Sequence, residues 1–367
     1  MAGLVADPGF WKARRVFLTG HTGFKGSWLS LWLQDMGTEV FGYALPPGEG
    51  LNLFEAAEVS RGMNSTVGDL RSLDDLSSAM QFARPEIVFH LGAQSLVRES
   101  YLDPVGTFAT NVMGTVHVIE AARRLNLSSA GNPPVRAVLV VTSDKAYRNN
   151  EWVWPYRESE LLGGHDPYSS SKACAELVTA AYRSSLIETE MPALKIASAR
   201  AGNVIGGGDW AKDRIVPDAV RAFTQNRPLV LRNPDAVRPW QHVLEPLAGY
   251  IMLAEQLYRG VASAADAWNF GPDASSEQSV SHLVSLVARD WGEGARWNWS
   301  TDSHPHEARL LRLDSSKARF ELGWRPRLSL ERAVKMTVDW YRLDLNRKDA
   351  VREFTVSQIR DYAAPTD

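Results

Sequence analysis

The first 200 residues alternate short apolar runs of strand length with longer segments of helical spacing. The apolar runs lie at 15–19, 39–43, 65–69, 86–90, 136–142 and 193–199. Between them, apolar residues recur at intervals of three and four, as in FKGSWLSLWLQDMG and NVMGTVHVIEAARRL. Strands that alternate with helices form βαβ units, which build a parallel sheet with helices on both faces. The pattern therefore predicts an α/β fold with a Rossmann-type, doubly wound parallel sheet.

The regular alternation stops after Arg200, where the segment GNVIGGGDWAKDRIVP is rich in glycine and aspartate. Short strands, helices and proline-containing loops then follow without a fixed order. We expect a Rossmann domain over 12–200 and a smaller, irregular α/β substrate-binding domain over 201–240 and 272–345. The stretch 241–271 is apolar enough to pack back on the first domain.

Composition limits the classes of partner that this chain can bind. The formal net charge of -3 and the pI near 6.3 do not favour a nucleic-acid-binding protein. No apolar run reaches the ~20 residues of a membrane span, and the first residues lack the order of a signal peptide. The single cysteine, Cys174, excludes an internal disulfide and suits a reducing compartment. We therefore expect a cytoplasmic protein that binds neither nucleic acid nor membranes.

A glycine-rich turn, TGHTGFKG, joins the first predicted strand to the first long helix. It places Gly20, Gly23 and Gly26 at intervals of three. Glycines at such a turn let the backbone approach a pyrophosphate, and the helix start presents free N–H groups and partial positive charge. The turn predicts a dinucleotide site at this end of the sheet.

The end of the second strand does not settle which dinucleotide binds. In the common fingerprint an acidic residue there holds the adenosine ribose, whereas this strand ends in Gly42, Tyr43 and Ala44. The residues alone therefore leave NAD and NADP open. Asp69 follows the third strand and fits either a hydrogen bond to the adenine amino group or a plain turn.

Tyr168 and Lys172 lie four residues apart in a segment of helical spacing, so both side chains share one face. A lysine ammonium beside a phenol favours the phenolate, which can take a proton from a sugar hydroxyl. The strand 136–142 ends close by in sequence with Ser143, Asp144 and Lys145. That polar end is either a solvated ion pair or part of the reacting centre.

Several long motifs of the chain resemble those of a known family. TGHTGFKG, the set Ser143, Tyr168 and Lys172, RAGNVIGGGDW and RPWQHV resemble the nucleotide-sugar enzymes of the extended short-chain dehydrogenase/reductase family. The runs GHTGFKGSWLSLWL, TSDKAY, EWVWPYRE, RNPDAVRPWQHVLEPLAGY and HPHEA are similar to the CDP-sugar 4,6-dehydratases within it. The resemblance covers nearly the whole chain.

The resemblance implies a lyase that acts on CDP-glucose and forms CDP-4-keto-6-deoxyglucose, an early step toward sugars of the lipopolysaccharide O-antigen. Ser143 and Tyr168 would contact the hydroxyl on sugar carbon 4, where oxidation acidifies the hydrogen on carbon 5. Asp144 would protonate the departing hydroxyl and Lys145 would remove the carbon-5 proton. A lysine serves as a base only when it is neutral, which burial, Lys172 and the charge of the cofactor ring would favour.

The resemblance also implies the ligand contacts and names NAD as the cofactor. The implied NAD-binding residues are Gly20, Gly23, Phe24, Lys25, Gly26, Asp69, Leu70, Ala93, Thr142, Tyr168 and Lys172. The implied nucleotide-sugar contacts are Asn203, Arg232, Arg238, His306 and Glu307. His304 stands where related epimerases carry an arginine. We expect no metal site at this His-x-His-Glu sequence, because the chain offers no further ligand segment.

Two alternative functions remain at this point. One is a 4,6-dehydratase or a 4-epimerase that acts on another nucleotide sugar. The pair Asp144 and Lys145 argues against an epimerase but not against another dehydratase. The other is a non-catalytic, dinucleotide-sensing scaffold, which would not need the Tyr168 and Lys172 pair. The helices at 104–126 and 169–189 resemble those that pair two subunits in this family, which implies a homodimer.

Overall fold

A seven-stranded, all-parallel sheet forms the centre of the chain in a computed structural model that describes residues 6–129, 134–300 and 309–365. The strands are β1 Arg15–Thr19, β2 Glu39–Ala44, β3 Asn64–Val67, β4 Ile87–His90, β5 Ala137–Val141, β6 Lys195–Ala201 and β11 Ala267–Phe270. Their order in the sheet is β11-β6-β5-β4-β1-β2-β3. The doubly wound parallel sheet predicted from the sequence is confirmed.

Among the described residues, six short strands pair outside the central sheet. They are β7 Val204–Ile205, β8 Leu229–Leu231, β9 Val237–Pro239, β10 Gln241–His242, β12 Glu277–Ser279 and β13 Trp297–Trp299. They form three two-stranded sheets, β7 with β10, β8 with β13 and β9 with β12. These small sheets lie in the part of the sequence that lacks regular alternation.

Helices connect the strands and cover the sheet. They are α1 Pro8–Trp11, α2 Phe24–Asp35, α3 Leu53–Ala56, α4 Leu73–Ala83, α5 Val97–Leu102, α6 Pro104–Phe108, α7 Gly114–Ser128, α8 Pro167–Ala181, α9 Glu188–Glu190, α10 Ile215–Thr224, α11 Leu244–Tyr258, α12 Val280–Trp291, α13 Leu330–Tyr341 and α14 Lys348–Ala363. Single π turns span Ala109–Met113, Tyr182–Ile187 and Ala318–Leu322, and short 3-10 turns span Asp144–Ala146, Ala262–Ala264 and Ala274–Ser276.

Alternate residues of each strand pack into two separate hydrophobic layers, because successive side chains of a strand point to opposite faces. Val16 and Leu18 of β1 pack in the layer that holds α2 and α11. Phe17 packs in the other layer, with α4 and α7. The sheet is thus buried on both sides, which is why its strands read as continuous apolar runs.

Helix α2 differs from its sequence prediction. One apolar face was expected, but every residue from Gly26 to Leu33 is buried. The C-terminal helix α14 explains the difference, since Trp32 of α2 meets the ring of Tyr362 at 5.8 Å between ring centroids. A helix enclosed between a sheet and a later helix has no solvent face.

The predicted helices at 104–126 and 169–189 are each interrupted by a π turn. The first consists of α6, the turn Ala109–Met113 and α7, and the second of α8, the turn Tyr182–Ile187 and α9. Apolar spacing does not reveal a single extra residue in a helical turn.

The segment 241–271 lies against the central sheet. Strand β11 pairs with β6 in register from Ala267 opposite Ser198 to Phe270 opposite Ala201. Helix α11 packs in the same layer as α2 through Leu247. The large sheet therefore gains its seventh strand from a late part of the sequence.

Candidate active site

The glycine turn between β1 and α2 has no room for a side chain at Gly20 or Gly26. Gly20 has a φ of +76° and its backbone lies against Gly92, to whose nitrogen an added Cβ would come within 2.6 Å. A Cβ on Gly26 would lie 2.0 Å from the carbonyl oxygen of Gly20. Gly23 precedes α2 and no side chain caps the helix. The turn thus presents the free amino end of a twelve-residue helix, which suits an anion.

The predicted adenosine side of this site is built around Asp69. The phenol of Tyr43, near the end of β2, donates to the backbone oxygen of Asp69 at 3.2 Å. The guanidinium of Arg71 binds the Asp69 carboxylate, with Nη2 2.6 Å from Oδ2, and lowers the pKa of that carboxyl. Leu70 is buried next to it, and Ala93 lies in the loop that follows β4. A turn and a ligand contact are both compatible with this arrangement.

Helix α8 carries the predicted tyrosine and lysine in its first two turns. Asp166 caps the helix by accepting from the backbone N–H of Ser169 at 2.9 Å, and Pro167 occupies the first helical position. Both Tyr168 and Lys172 are buried. Lys172 Nζ donates to the carbonyl oxygen of Val141 at 3.3 Å, which holds α8 against the end of β5.

The pKa of the Tyr168 phenol is raised, mainly because the phenol is buried. The charge of Asp144 acts in the same direction, whereas the Ser143 side chain and the charge of Arg214 lower this pKa. The pKa of Lys172 falls to about 8, because burial disfavours its charge more than Glu176 stabilises it. The structure therefore brings Ser143, Tyr168 and Lys172 together as the sequence predicted.

Asp144 and Lys145 lie in a 3-10 turn directly after β5. Ser143 begins this turn and accepts from the backbone N–H of Lys145 at 3.2 Å. Asp144 is 1% exposed, and its Oδ2 is buried with no hydrogen-bond partner among the described residues. Gly202 leaves space beside this oxygen, since an added Cβ would lie 3.3 Å from it. Lys145 is partly exposed on the same turn.

The region around the glycine turn, Asp144 and Tyr168, hereafter the cleft, also contains Lys25, Tyr250 and Arg214, which the motifs did not bring together. Lys25 was predicted as a cofactor contact of the glycine turn, but its ammonium also lies 5.9 Å from the ring centre of Tyr250. Burial lowers the Lys25 pKa to about 7, and the positive charge of Arg214 acts in the same direction. The hydroxyl of Tyr250 on α11 is buried, without a hydrogen-bond partner in the described ranges, and interacts electrostatically with Asp144 and Tyr168.

Arg214 begins α10 and was not predicted as a site residue. Its guanidinium donates to Asp209 at 3.0 Å and to Ser95 at 3.3 Å, and its charge acts on Tyr168. The only sequence signal for it is an arginine directly before the helical segment IVPDAVRAF. Arg214 comes close to the predicted catalytic residues only because of how the glycine-rich stretch after β6 folds.

The predicted nucleotide-sugar contacts lie on the irregular part of the chain. Asn203 follows β6, and its Oδ1 is buried with no partner among the residues that the structure describes. Arg232 follows β8 and pairs with Asp213 at 3.2 Å. Arg238 on β9 donates to the carbonyl oxygen of Val237 at 2.9 Å. His306 and Glu307, together with His304, lie outside the described residues.

Comparisons with known proteins identify the family of the chain. The sequence model of the family described as GDP-mannose 4,6 dehydratase matches residues 17–337. The chain belongs to that family. It is 48% identical over 363 residues to the CDP-glucose 4,6-dehydratase of Salmonella typhimurium, covering 98% of this chain and 99% of the relative. The resemblance inferred from the sequence motifs is confirmed.

Solved structures of family relatives share the fold. DesIV, a dTDP-glucose 4,6-dehydratase from Streptomyces venezuelae solved with NAD, superposes with a TM-score of 0.76 at 23% identity, covering 92% of this chain and 99% of that one. The dTDP-glucose 4,6-dehydratase of Bacillus anthracis, in complex with NAD, has a TM-score of 0.74 at 20% identity and covers 92% and 100%.

A buried ionic network fixes α8, which carries Tyr168 and Lys172, to the sheet. The Glu176 carboxylate on α8 pairs with Arg200 of β6 at 2.8 Å and accepts from Ser198 at 2.6 Å. Thr142, predicted as a cofactor contact, hydrogen-bonds the same carboxylate. Arg200 in turn donates to the hydroxyl of Tyr147 at 2.7 Å. Because the network spans β5, β6 and α8, it sets where Tyr168 and Lys172 lie.

Within the described ranges, no helix is long and apolar enough to cross a membrane. The same residues contain no group of three or more histidine, cysteine, aspartate or glutamate side chains that could hold a metal ion.

Proposed function

We propose that this chain is an NAD-dependent 4,6-dehydratase that converts CDP-glucose to CDP-4-keto-6-deoxyglucose. The reaction oxidises carbon 4, removes water across carbons 5 and 6, and returns hydride to carbon 6. The observation that carries the proposal is the cluster of Ser143, Asp144, Tyr168 and Lys172 at one sheet edge, in a chain 48% identical to a CDP-glucose 4,6-dehydratase over nearly its whole length.

The glycine turn fits the pyrophosphate of NAD. The backbone of Gly20 lies so close to Gly92 that a Cβ on Gly20 would not fit. The uncapped start of α2 offers the backbone N–H groups of Phe24 and Lys25 as donors. Thr142, Leu70 and Ala93 lie along the same sheet edge. When bound there, NAD supplies a hydride acceptor that is regenerated in each turnover.

Tyr168 acts as the base for the carbon-4 hydroxyl in this proposal. Lys172, one helical turn later, supplies positive charge that favours the phenolate. Ser143 lowers the pKa of the phenol and can hold the same sugar hydroxyl. The buried position of Tyr168 excludes water, which would otherwise compete for the proton.

Asp144 and Lys145 serve the loss of water. The unpartnered Oδ2 of Asp144 is available for a proton that moves to the departing hydroxyl. Lys145 removes the carbon-5 proton when its amine is neutral. A simple 4-epimerase needs neither step, so this pair supports elimination over epimerisation.

In this proposal the irregular half of the chain binds the diphosphate and the nucleoside. Asn203 borders the cleft beside Gly202, and Arg232 and Arg238 supply guanidinium groups suited to phosphate oxygens. His306 and Glu307 complete the nucleotide contacts in the proposal. Two observations support these assignments. The Oδ1 of Asn203 is buried with no partner among the described residues, and Arg232 follows β8 directly while Arg238 lies on β9.

Exposed apolar side chains on the helices after β4 and on α8 support a homodimer. The large ones are Tyr101, Leu102, Val105, Phe108, Met113 and Leu177. Clustered exposed apolar groups of this kind are typical of a subunit interface. The lone Cys174 supports a cytoplasmic location, and the product suits the dideoxy sugars of lipopolysaccharide O-antigens.

The test is incubation of the purified protein with NAD and, separately, CDP-, dTDP-, UDP- and GDP-glucose, with product masses as the readout. We expect the CDP sugar alone to lose one water. Tyr168→Phe serves as the control for contaminating activity. Loss of water from a different nucleotide sugar would reject the substrate, and a change of carbon-4 configuration without loss of water would reject the reaction.

A further inference from the structure

One carboxylate oxygen lies between two arginines from different parts of the fold. Oδ1 of Asp213 is 3.1 Å from Nη1 of Arg98 and 3.2 Å from Nη1 of Arg232. Arg98 belongs to α5, which follows β4 of the central sheet, whereas Arg232 follows β8 of a small sheet. A single anionic oxygen thus bridges the two parts of the chain that border the cleft.

Asp213 lies next in sequence to a residue of the predicted site. It has a φ of +60°, in the left-handed region, which aspartate and asparagine adopt more readily than most other residues with a side chain. The next residue is Arg214, whose guanidinium reaches Ser95 at 3.3 Å and whose charge acts on Tyr168. Asp213 is therefore the sequence neighbour of a side chain that interacts with the predicted catalytic tyrosine and contacts the loop leading into α5.

Proteins also bind phosphate by placing two guanidinium groups around its anionic oxygens. The side chains of Arg98, Asp213 and Arg232 are all partly exposed, at 50%, 41% and 27%. Each can therefore change its rotamer without repacking the core. A diphosphate carries more charge and more acceptor oxygens than a carboxylate, so it would compete for the same guanidinium groups.

We propose that Arg98 and Arg232 form a clamp for the diphosphate of the substrate, and that Asp213 occupies this clamp until the diphosphate displaces it. The inference rests on the proposed function for the identity of the sugar nucleotide. It adds Arg98 as a substrate-binding residue and makes Asp213 an internal competitor that lowers substrate affinity. The same exchange would free the loop before α10 from α5 as the substrate enters.

The test is isothermal titration of the NAD-loaded protein with CDP-glucose and with CDP. Arg98→Ala should raise the Kd by about tenfold or more, the range for a lost charged hydrogen bond. Asp213→Asn keeps the shape and suits the left-handed backbone, so it should lower the Kd about threefold or more once the competing charge is gone. In the Arg98→Ala background the gain from Asp213→Asn should shrink, because half of the clamp is missing.

A matched control is the remote exposed pair Arg61 and Asp349, whose charged groups are 2.8 Å apart. Arg61→Ala and Asp349→Asn should leave both Kd values unchanged. An unchanged Kd in Arg98→Ala, or a raised Kd in Asp213→Asn, would overturn the clamp. Asp213→Asn with a lower melting temperature and no gain in affinity would assign Asp213 a structural role only, which also rejects the proposal.

Inorganic pyrophosphate separates this inference from the proposed function. As a competitor of CDP it should bind more weakly to Arg98→Ala and more tightly to Asp213→Asn, whatever sugar the protein turns over. If no nucleotide sugar loses water but pyrophosphate responds in this way, the function fails and the clamp stands. If CDP-glucose is dehydrated and the affinity for pyrophosphate is the same in both variants as in the unchanged protein, the clamp is rejected and the proposed function stands.

Discussion

The hydroxyl of Ser143 donates to Oδ1 of Asp144 at 3.0 Å, and the same side chain lies close enough to the Tyr168 phenol to lower its pKa. A serine hydroxyl has only one proton to donate. While Tyr168 is protonated, it can donate to Ser143, which donates to Asp144. Once the phenolate forms, Ser143 must turn to donate to it and releases Asp144. The protonation states of the two predicted catalytic groups are thus linked through one hydroxyl.

The roles of Tyr168 and Asp144 should separate in variants. Tyr168→Phe removes the base for carbon 4, so cofactor reduction should fall by about 100-fold or more. Asp144→Asn should still reduce the cofactor but stall before loss of water. Absorbance of the reduced nicotinamide in a single turnover measures this difference. An equal loss of that signal in both variants would contradict the division of roles.

Breaking the buried pair beneath α8 should destabilise the protein strongly. Arg200→Met leaves the Glu176 carboxylate buried without its guanidinium partner, which costs about 3–5 kcal/mol. The exposed pair of Arg360 with Asp35 is the control, and Arg360→Met should cost less than about 1 kcal/mol. Urea denaturation followed by fluorescence gives both values. Similar small losses for the two variants would show that the buried network adds little.

Gly26→Ala should abolish NAD binding. The new Cβ would lie 2.0 Å from the carbonyl oxygen of Gly20, so the turn must open, at a cost of about 1–3 kcal/mol in stability. Gly48→Ala is the matched control, because an added Cβ there meets nothing within 4 Å. Equilibrium dialysis with NAD measures the affinity. Retained binding in Gly26→Ala would remove the turn from the cofactor site.

Glu245 should make stability fall with rising pH between about 4.5 and 7. Burial raises its pKa from 4.5 to about 7, so in this range the folded protein binds a proton that the unfolded chain releases. Stability is then lost as pH rises through the folded pKa. Glu245→Gln should flatten this slope in melting temperatures recorded across the range. Glu353→Gln, on the exposed side of α14, is the control, and equal slopes in all three proteins would refute the assignment.

Local patterns were sufficient to predict the sheet and part of the site. The spacing of Tyr168 and Lys172 depends only on helical geometry, and the position of Ser143 only on where a strand ends. Arg214 and Tyr250 could not be found in this way, because α10 and α11 reach the cleft through contacts distant in sequence. Lys25 was predicted as a cofactor contact, but its position beside the ring of Tyr250 could not be predicted for the same reason.

The most direct test of the central claim follows a deuterium label from carbon 4 of CDP-glucose. The protein with catalytic NAD should yield CDP-4-keto-6-deoxyglucose with the deuterium on carbon 6, seen by NMR as a CH₂D group. That result requires oxidation, loss of water and hydride return in one active site. Deuterium that accumulates in free reduced cofactor, or that stays on carbon 4 of an epimerised sugar, would contradict the proposed function.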